Sequence, residues 1–284
     1  ATLTDSATVY RLECDAVAVV VSKSSGRLTS VVDKRQQREL LTGRGGGVFV
    51  LYDDQPLAWD AWDVDYYYHQ KSSDAVRVVS HSVVHDGGAR AAVRFELALG
   101  EHCSITAVIG VDATTPYGVE YDVTVDWRES HKLLKVEFDL DVLPYQGAAT
   151  YEVPFGALQR PVHHNTSWDK AKFEVCAHRW ADVADSSFGV TLLNDCKYGH
   201  NARTLPNDSG SGAGNGTTLG LSLLRAPKNP DANCDMSTHD MRFALVPHAR
   251  SWQAAGVAKL ALQFNRPPVT RDARVRAAAS GATL

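Results

Sequence analysis

The 284-residue sequence lacks the features that mark several classes of protein. The formal net charge is −4, and the chain contains no block of like charge. Binding to the phosphate backbone needs a basic stripe, which is absent, so we expect no nucleic-acid partner. No apolar run approaches the roughly 18–20 residues that span a bilayer, so we expect no membrane partner. It has no C-x-x-C pair and no close Cys/His cluster of the zinc-finger type.

The cysteines and the N-terminus bear on the cellular compartment. The five cysteines are odd in number and widely spaced, which favours free thiols in a reducing compartment. Residues 1–10 show neither the charged nor the apolar region of a secretory signal, as would also be true of a chain cut from a longer precursor. The three sequons, at Asn165, Asn207 and Asn215, favour secretion only weakly.

Alternation of apolar and polar residues dominates the sequence. It runs through YGVEYDVTVDW (117–127), LLKVEFDLDV (133–142) and AAVRFELAL (91–99). A period of two predicts strands with one buried and one wet face, so we expect charged residues such as Lys135, Glu137 and Asp139 to be solvated. The connections are short, as in HDGGAR, which predicts antiparallel pairing. The sequence therefore predicts an all-β fold of two large antiparallel sheets packed face to face.

Helix is scarce, and one segment is a helix candidate. Residues 251–265, SWQAAGVAKLALQFN, place apolar side chains at helical spacing, with Ser251 as a candidate N-cap. We therefore expect one short helix near the C-terminus. The Gly/Ser-rich stretch 206–217 is typical of a flexible hairpin loop, and residues 269–284 show no strand pattern.

The segment LLNDCKYGH (192–200) is a candidate binding turn. Leu192 and Leu193 are expected to end a buried strand, with Asn194 and Asp195 in the turn and Gly199 free to adopt a positive φ. That alone describes an ordinary turn. Its polar groups are also suited to hydrogen-bonding sugar hydroxyls. Cys196 has no histidine at an obvious partner position, so we do not expect it to be a nucleophile.

Two further stretches combine aromatic residues with polar ones. WDAWDVD (59–65) sets two tryptophans beside three carboxylates, and we expect a loop in which one tryptophan anchors to the sheet while the carboxylates cap turns or face another domain. Asp63 is our candidate sugar contact there. In the stretch 151–183, Trp168 and Phe173 suit a core or an interface. In the same stretch, we expect Arg160 and Arg179 to pair with acidic residues across a domain interface. His163 and His164 point opposite ways if extended, so we expect no metal site.

These stretches, together with GRLTSVVDK, VDWRESHKLLKVEFDLDV and AGVAKLALQFNRPPV, resemble in the same order the C-terminal β region of the cytosolic/vacuolar α-mannosidases of glycoside hydrolase family 38. The resemblance runs from about residue 10 to residue 268. It implies a galactose-mutarotase-like β-supersandwich over residues 1–268, followed by a tail, 269–284. It also implies a cytoplasmic or a vacuolar/lysosomal location.

The resemblance implies a retaining, zinc-dependent α-mannosidase whose catalytic residues lie elsewhere. The family's zinc ligands and its aspartate nucleophile belong to an α/β domain that does not align with this sequence. We therefore expect no catalytic residue, metal ligand or cofactor in this chain, and we expect a catalytic α/β domain or chain and a mannose-containing glycan as partners. The implied substrate contacts come from the turn, at Asn194, Asp195, Lys197 and Tyr198, with Asp63 beside them. A stand-alone carbohydrate-binding module, a scaffolding subunit and a homo-oligomer stay open.

Overall fold

The computed structural model describes residues 1–73, 76–205, 216–266 and 268. These residues form twenty strands. The first ten are β1 (Thr2–Asp5), β2 (Val9–Glu13), β3 (Val17–Ser22), β4 (Leu28–Asp33), β5 (Arg38–Glu39), β6 (Val48–Asp53), β7 (Ser72–Ser73), β8 (Val76–Gly87), β9 (Arg90–Leu99) and β10 (Cys103–Asp112). The second ten are β11 (Val119–Asp126), β12 (Lys132–Leu140), β13 (Ala148–Val153), β14 (Gly156–Pro161), β15 (Val175–Cys176), β16 (Trp180–Ala184), β17 (Phe188–Asn194), β18 (Gly199–Thr204), β19 (Thr217–Arg225) and β20 (Thr238–Ala249).

Helical structure is limited to short segments in the described part of the chain. They are the α-helices α1 (Ser167–Lys170) and α2 (Val257–Asn265) and two 3₁₀ turns, Tyr66–Gln70 and Tyr145–Gly147. The predicted C-terminal helix is therefore present, but it begins later than expected. Residues 252–256 form turns, and Gly256, at a φ of 70°, takes the N-cap position in place of Ser251. The left-handed conformation there suits glycine and redirects the chain into the helix.

The strands of the described residues form two antiparallel sheets. The large sheet has fourteen strands in the order β14-β13-β16-β17-β20-β11-β10-β9-β8-β1-β2-β3-β4-β5. The small sheet has six, in the order β15-β18-β19-β12-β6-β7. Every pairing is antiparallel, and the HDGGAR turn joins β8 to β9 as predicted. The predicted all-β antiparallel class is confirmed.

The sheets pack face to face through one apolar core. Phe138 of β12 meets Tyr121 of β11, with ring centroids 6.1 Å apart, and Phe243 of β20, at 6.4 Å. Leu134, Val136 and Leu140 of the small sheet join the same cluster, so the inner face of β12 is apolar and fully buried. Face-to-face packing of two such sheets removes both apolar stripes from water.

The outer face of the small sheet corrects a prediction. Lys135 and Glu137 are each 0% exposed, and Asp139 is also buried, so the expected wet face of β12 is covered. Tyr68 of the first 3₁₀ turn and Glu174 lie over it: Tyr68 Oη donates to Glu174 Oε1 at 2.5 Å, and Lys135 Nζ donates to the same oxygen. Alternation in the sequence indicated which residues share a face, but long connections cover that face from outside.

Two segments with predictions lie outside the described residues: most of the stretch 206–217, of which only Gly216 and Thr217 are described, and the tail 269–284. The sequons at Asn207 and Asn215 lie outside the described residues too. The division into a domain of residues 1–268 and a tail therefore stays a prediction. The five cysteines are free, as expected. None of the helices among the described residues is long and apolar enough to cross a membrane.

Candidate functional site

The turn 194–198 follows β17 directly, as the sequence indicated, and its geometry is fixed by Asn194. This side chain is buried, its Nδ2 donates to His178 O at 2.9 Å, and its Oδ1 accepts from Lys197 N at 2.7 Å. Asn265 at the end of α2 donates from Nδ2 to Asn194 O at 3.0 Å. Asn194 therefore shapes the turn from below, and both ends of its amide are already engaged in hydrogen bonds.

The other predicted residues of the turn reach the surface. Asp195 is exposed and its Oδ1 accepts from Arg242 N at 3.0 Å, which ties the turn to β20. Lys197 is half-buried, whereas the Tyr198 side chain is exposed and its ring lies edge-on to His178, with centroids 5.6 Å apart. Gly199 does not have the positive φ that we expected: it lies in β18, where an added Cβ would sit 2.8 Å from Ser222 Cβ.

These residues line a cavity of about 520 Å³, which we call the turn cavity. Its other walls are the β13–β14 hairpin, the segment 178–180 and helix α2 with the turn before it. Trp252 lies against the buried Trp180, with ring centroids 4.8 Å apart, and Phe155 at the hairpin tip is fully exposed. Flat aromatic faces beside polar groups are an arrangement that suits a sugar ring, and the volume is that of a small-molecule site.

The wall of the turn cavity also holds an ion pair that sequence reasoning identified only in part. The Arg179 guanidinium and backbone N donate to the buried carboxylate of Glu152, with Nε at 3.1 and 3.0 Å from its two oxygens. This hydrogen bonding to Glu152 raises the pKa of Arg179. The acidic partner of Arg179 was expected across a domain interface, whereas Glu152 belongs to β13 of the large sheet. Arg160 instead stacks on the Tyr151 ring, 5.1 Å from its centroid.

Cys196 has no features of a nucleophile. Burial, followed by hydrogen bonding to Asp195 and the negative charge of that carboxyl, raises the pKa of this thiol to about 11. The nucleophilic form of cysteine is the thiolate, so this thiol is poorly reactive near neutral pH.

The WDAWDVD loop lies apart from the turn cavity, and one prediction about it is wrong. Both Trp59 and Trp62 are exposed, at 72% and 71%, so neither anchors to the sheet. The carboxylates do cap backbone groups, as expected: Asp60 Oδ2 accepts from Lys228 N at 2.7 Å, and Asp65 Oδ2 accepts from Leu57 N at 2.8 Å. Asp63 is exposed: its carboxylate accepts from Val64 N at 3.0 Å, and its backbone O accepts from Arg225 Nη2.

A second cavity, of about 670 Å³, is lined by residues of this loop and of the turn, among them Trp62 and Tyr198. Tyr198 borders both cavities, so the two form neighbouring depressions on one surface. Asp63 lines neither of them. The structure thus brings Asn194, Asp195, Lys197 and Tyr198 together and leaves Asp63 outside the group.

The stretch 163–173 has a structural role in the described part of the chain. Thr166 caps α1 by accepting from Asp169 N at 3.1 Å, and His164 packs edge-on to Tyr66. Phe173 packs against a second buried apolar cluster, which includes Tyr52 of β6 and Tyr68. Trp168 is exposed, so a place in the core is excluded for it. No group of three or more His, Cys, Asp or Glu side chains that could hold a metal ion occurs among the described residues.

Comparison with known proteins identifies the family. The domain described as "Glycosyl hydrolases family 38 C-terminal domain" matches residues 12–233. The chain belongs to this family. It is 45% identical over 245 residues to human "Alpha-mannosidase 2C1" and 38% identical over 259 residues to "Alpha-mannosidase" of Saccharomyces cerevisiae. These matches cover 86% and 87% of this chain but 22% of each relative, so the chain spans about a fifth of their length.

Solved structures support the fold. An α-mannosidase from Enterococcus faecalis V583 matches with a TM-score of 0.68 and 13% identity, over 90% of this chain and 31% of that one. Galactose 1-epimerase from Lactobacillus acidophilus matches with a TM-score of 0.56 and 9% identity, over 86% of this chain and 95% of that one. At such identities the likeness concerns the fold alone, and it bears out the predicted galactose-mutarotase-like supersandwich.

Proposed function

We propose that this chain is the non-catalytic β-sandwich portion of a retaining α-mannosidase, and that its turn 194–198 contacts the mannose-containing glycan. The observation that carries the proposal is the turn cavity, which gathers Asp195, Lys197 and Tyr198 on one rigid sheet end. Loops held by a rigid sheet are where binding residues usually lie. The names of the relatives support the substrate class, and their greater length supports a catalytic α/β domain or chain as partner.

Within this proposal the residues of the turn have distinct roles. Asn194, whose amide is engaged within the turn, positions the backbone of Lys197. The Lys197 ammonium and the Tyr198 hydroxyl can donate to sugar hydroxyls, and Asp195 can accept from them. Proton transfer and nucleophilic attack would fall to carboxyl groups outside this chain, since a retaining glycosidase needs two of them about 5–5.5 Å apart at the scissile bond.

Zinc, which the family resemblance implies, does not fit the residues described here. Zinc sites are built from three or four closely placed His, Cys, Asp or Glu donors, and the described residues include no such group. We propose that any zinc is held by the rest of a longer chain. For location we propose the cytoplasm, supported by the five free cysteines, with a vacuolar or lysosomal site as the alternative.

The proposal is tested in the full-length protein that contains this chain. Lys197→Ala and Asp195→Asn should each lower kcat/KM on an aryl α-mannoside by about one to two powers of ten, because the first removes a donor to the bound sugar and the second replaces a charged acceptor oxygen by an amide donor. The thermal midpoint should change little, because both side chains lie at a polar turn. Lys172→Ala, which removes an exposed lysine outside both cavities, is the matched control and should keep full activity.

Two outcomes would decide against this role. Full kcat/KM in both variants would make the segment an ordinary turn. Binding of methyl α-mannoside by the isolated chain, measured by calorimetry and abolished by Lys197→Ala, would favour the alternative of a stand-alone carbohydrate-binding module. That alternative has one supporting observation, since the same fold accounts for 95% of the galactose 1-epimerase chain and so exists as a whole protein.

A further inference from the structure

A third cavity opens on the outer face of the small sheet, and it belongs to neither depression described above. Its volume is about 500 Å³, and we call it the outer-face cavity. Arg44, Arg203, His69, Tyr66 and Asn165 contribute to its wall. No Asp or Glu is among the described residues that line it, although many acidic residues occur in the chain. Its wall is therefore rich in hydrogen-bond donors and carries positive charge.

The two guanidinium groups are held side by side by one buried carboxylate. Arg203 donates to both oxygens of Glu137, from Nη1 at 3.0 Å and from Nη2 at 3.1 Å, and Arg44 Nη2 donates to Glu137 Oε2 at 2.5 Å. Arg44 Nε donates to Asp139 Oδ2 at 3.1 Å. Glu137 is completely buried behind the two arginines, whose side chains are 42% and 27% exposed.

This arrangement leaves donors free for a ligand. Among the described residues no hydrogen bond is made by Arg44 Nη1 or by Arg203 Nε. Fixed guanidinium groups with free N–H groups are the preferred protein partners of phosphate and carboxylate, because they donate in parallel pairs. The oxygens of Glu137 already accept from Tyr52 and both arginines, so the carboxylate acts as the anchor of the pair.

The neighbouring positive charges also favour an anionic ligand in the outer-face cavity. Burial, followed by the positive charges of Arg203 and Lys135, lowers the pKa of His69 to about 3. Burial, followed by the neighbouring His163, Lys170 and Arg203 side chains, lowers the pKa of His164. Lys170 Nζ also lies 4.4 Å from the centroid of the Tyr66 ring in the cavity wall. The two buried carboxylates, Glu137 and Asp139, formally balance the charges of Arg44 and Arg203, so only modest affinity is expected.

We propose that the outer-face cavity binds a small anionic sugar, with the phosphate or carboxylate of the ligand on Arg44 and Arg203. The cavity is far larger than one oxyanion and lies in the range of small-molecule sites. The Tyr66 ring is suited to the apolar face of the remainder, and the neutral imidazole of His69 and the amide of Asn165 are suited to its hydroxyl groups. This site does not depend on the proposed mannosidase role, and no bond is made or broken in it.

The test is calorimetry on the chain as it stands, with glucose 6-phosphate, glucuronate, glucose and inorganic phosphate as separate probes. At least one of the two anionic sugars should bind with a Kd of about 0.1–1 mM, and the tighter of them identifies the oxyanion. The affinity should fall as salt is raised. Glucose alone, and phosphate alone, should bind at least tenfold more weakly. Failure of both anionic sugars, or equal binding of glucose, would overturn the proposal.

The location of the site is tested by inserting one charge. Asn165 is exposed, and its side chain makes no hydrogen bond to other described residues, so Asn165→Asp should fold normally. It should weaken the anionic sugar by about threefold to tenfold, the effect of one like charge a few ångströms away in a partly exposed site. Asn233→Asp adds the same charge at an exposed position that lines none of the three cavities, and should change nothing. Equal effects of the two variants would place the binding elsewhere and refute the assignment.

Arg44→Gln tests the guanidinium group directly. It should weaken binding by more than tenfold in a protein that still melts cooperatively. If the variant does not fold, the pair at Asn165 and Asn233 decides the question. Unchanged affinity in a folded Arg44→Gln protein would contradict the site.

Discussion

The inner and outer faces of β12 differ in chemistry but are buried alike. The inner face packs Val136 and Phe138 into the apolar core, where the stabilisation comes from apolar surface removed from water. The outer face buries Lys135, Glu137 and Asp139, which are held by charge-assisted hydrogen bonds to Glu174, Arg44 and Arg203. Apolar packing does not depend on protonation, whereas a buried charge needs each charged partner in place. The outer face should therefore be the more sensitive to pH.

The largest effect is expected on the inner face. Phe138→Ala should lower the free energy of unfolding by about 3–5 kcal/mol, because it removes a buried ring and leaves a cavity between the sheets. Phe155→Ala, the same change at a fully exposed ring, is the control and should stay within about 0.5 kcal/mol. Urea unfolding at pH 7 measures both. A loss below about 1 kcal/mol for Phe138→Ala would mean that the sheets are not packed as described.

The second effect concerns the outer face. Glu137→Gln should lower the free energy of unfolding by about 3 kcal/mol at pH 7, because it leaves Arg44 and Arg203 without their shared anion. The control is Glu13→Gln at a half-exposed ion pair, where Lys34 Nζ lies 2.6 Å from Glu13 Oε1. Exposed pairs contribute little, so the control should lose less than about 1 kcal/mol. Equal losses in the two variants would remove the distinction between buried and exposed charge.

Acid should separate the two faces. Burial by itself raises the pKa of Glu137, but Arg203, Arg44 and the Tyr52 hydroxyl outweigh it and hold the pKa at about 2, against an ordinary value of 4.5. The unfolded chain therefore takes up this proton first. The stability contributed by the carboxylate is complete above about pH 4.5 and is lost as the pH falls toward 2. The deficit of Glu137→Gln should shrink over this window while that of Phe138→Ala persists. A constant deficit for both would contradict the assigned pKa.

Sequence reasoning recovered the inner face better than the outer one. Period-two alternation identified β11 and β12 and the residues that share each face, because that period is set by the backbone. It placed Glu137 in water, since alternation does not report what covers a face. The partners of Glu137 are Arg44 and Arg203, which are 93 and 66 residues away in sequence. Such contacts are set by the tertiary fold and are not visible in any local pattern.

The candidate site divides in the same way. The turn after β17 could be predicted because an apolar strand ending in Asn-Asp is a local signal. The hydrogen bond between Asn194 and the carbonyl of His178, and the Glu152–Arg179 pair, could not, because they join β17 and β13 to the separate segment that precedes β16. Asp63 was predicted to lie beside the turn because both stretches combine polar and aromatic residues. It lies outside both cavities, because a similar composition does not bring two loops together.

The smallest effect concerns the exposed tryptophans, whose position reverses the simple rule that apolar residues lie inside and charges outside. Trp62→Ala in the isolated chain should change the free energy of unfolding by less than about 0.5 kcal/mol, because the ring is 71% exposed. Exposed aromatic surface of this kind marks an interaction site when it is contiguous, and Trp62 shares a cavity wall with Tyr198. If the rest of a longer chain covers this surface, as the proposed function implies, the same substitution in the full-length protein should cost more than about 1 kcal/mol. Thermal or urea unfolding of both lengths, with and without Trp62→Ala, measures the difference. Equal small effects in both would leave the aromatic surface open to solvent and would move the partner contact elsewhere on the sandwich.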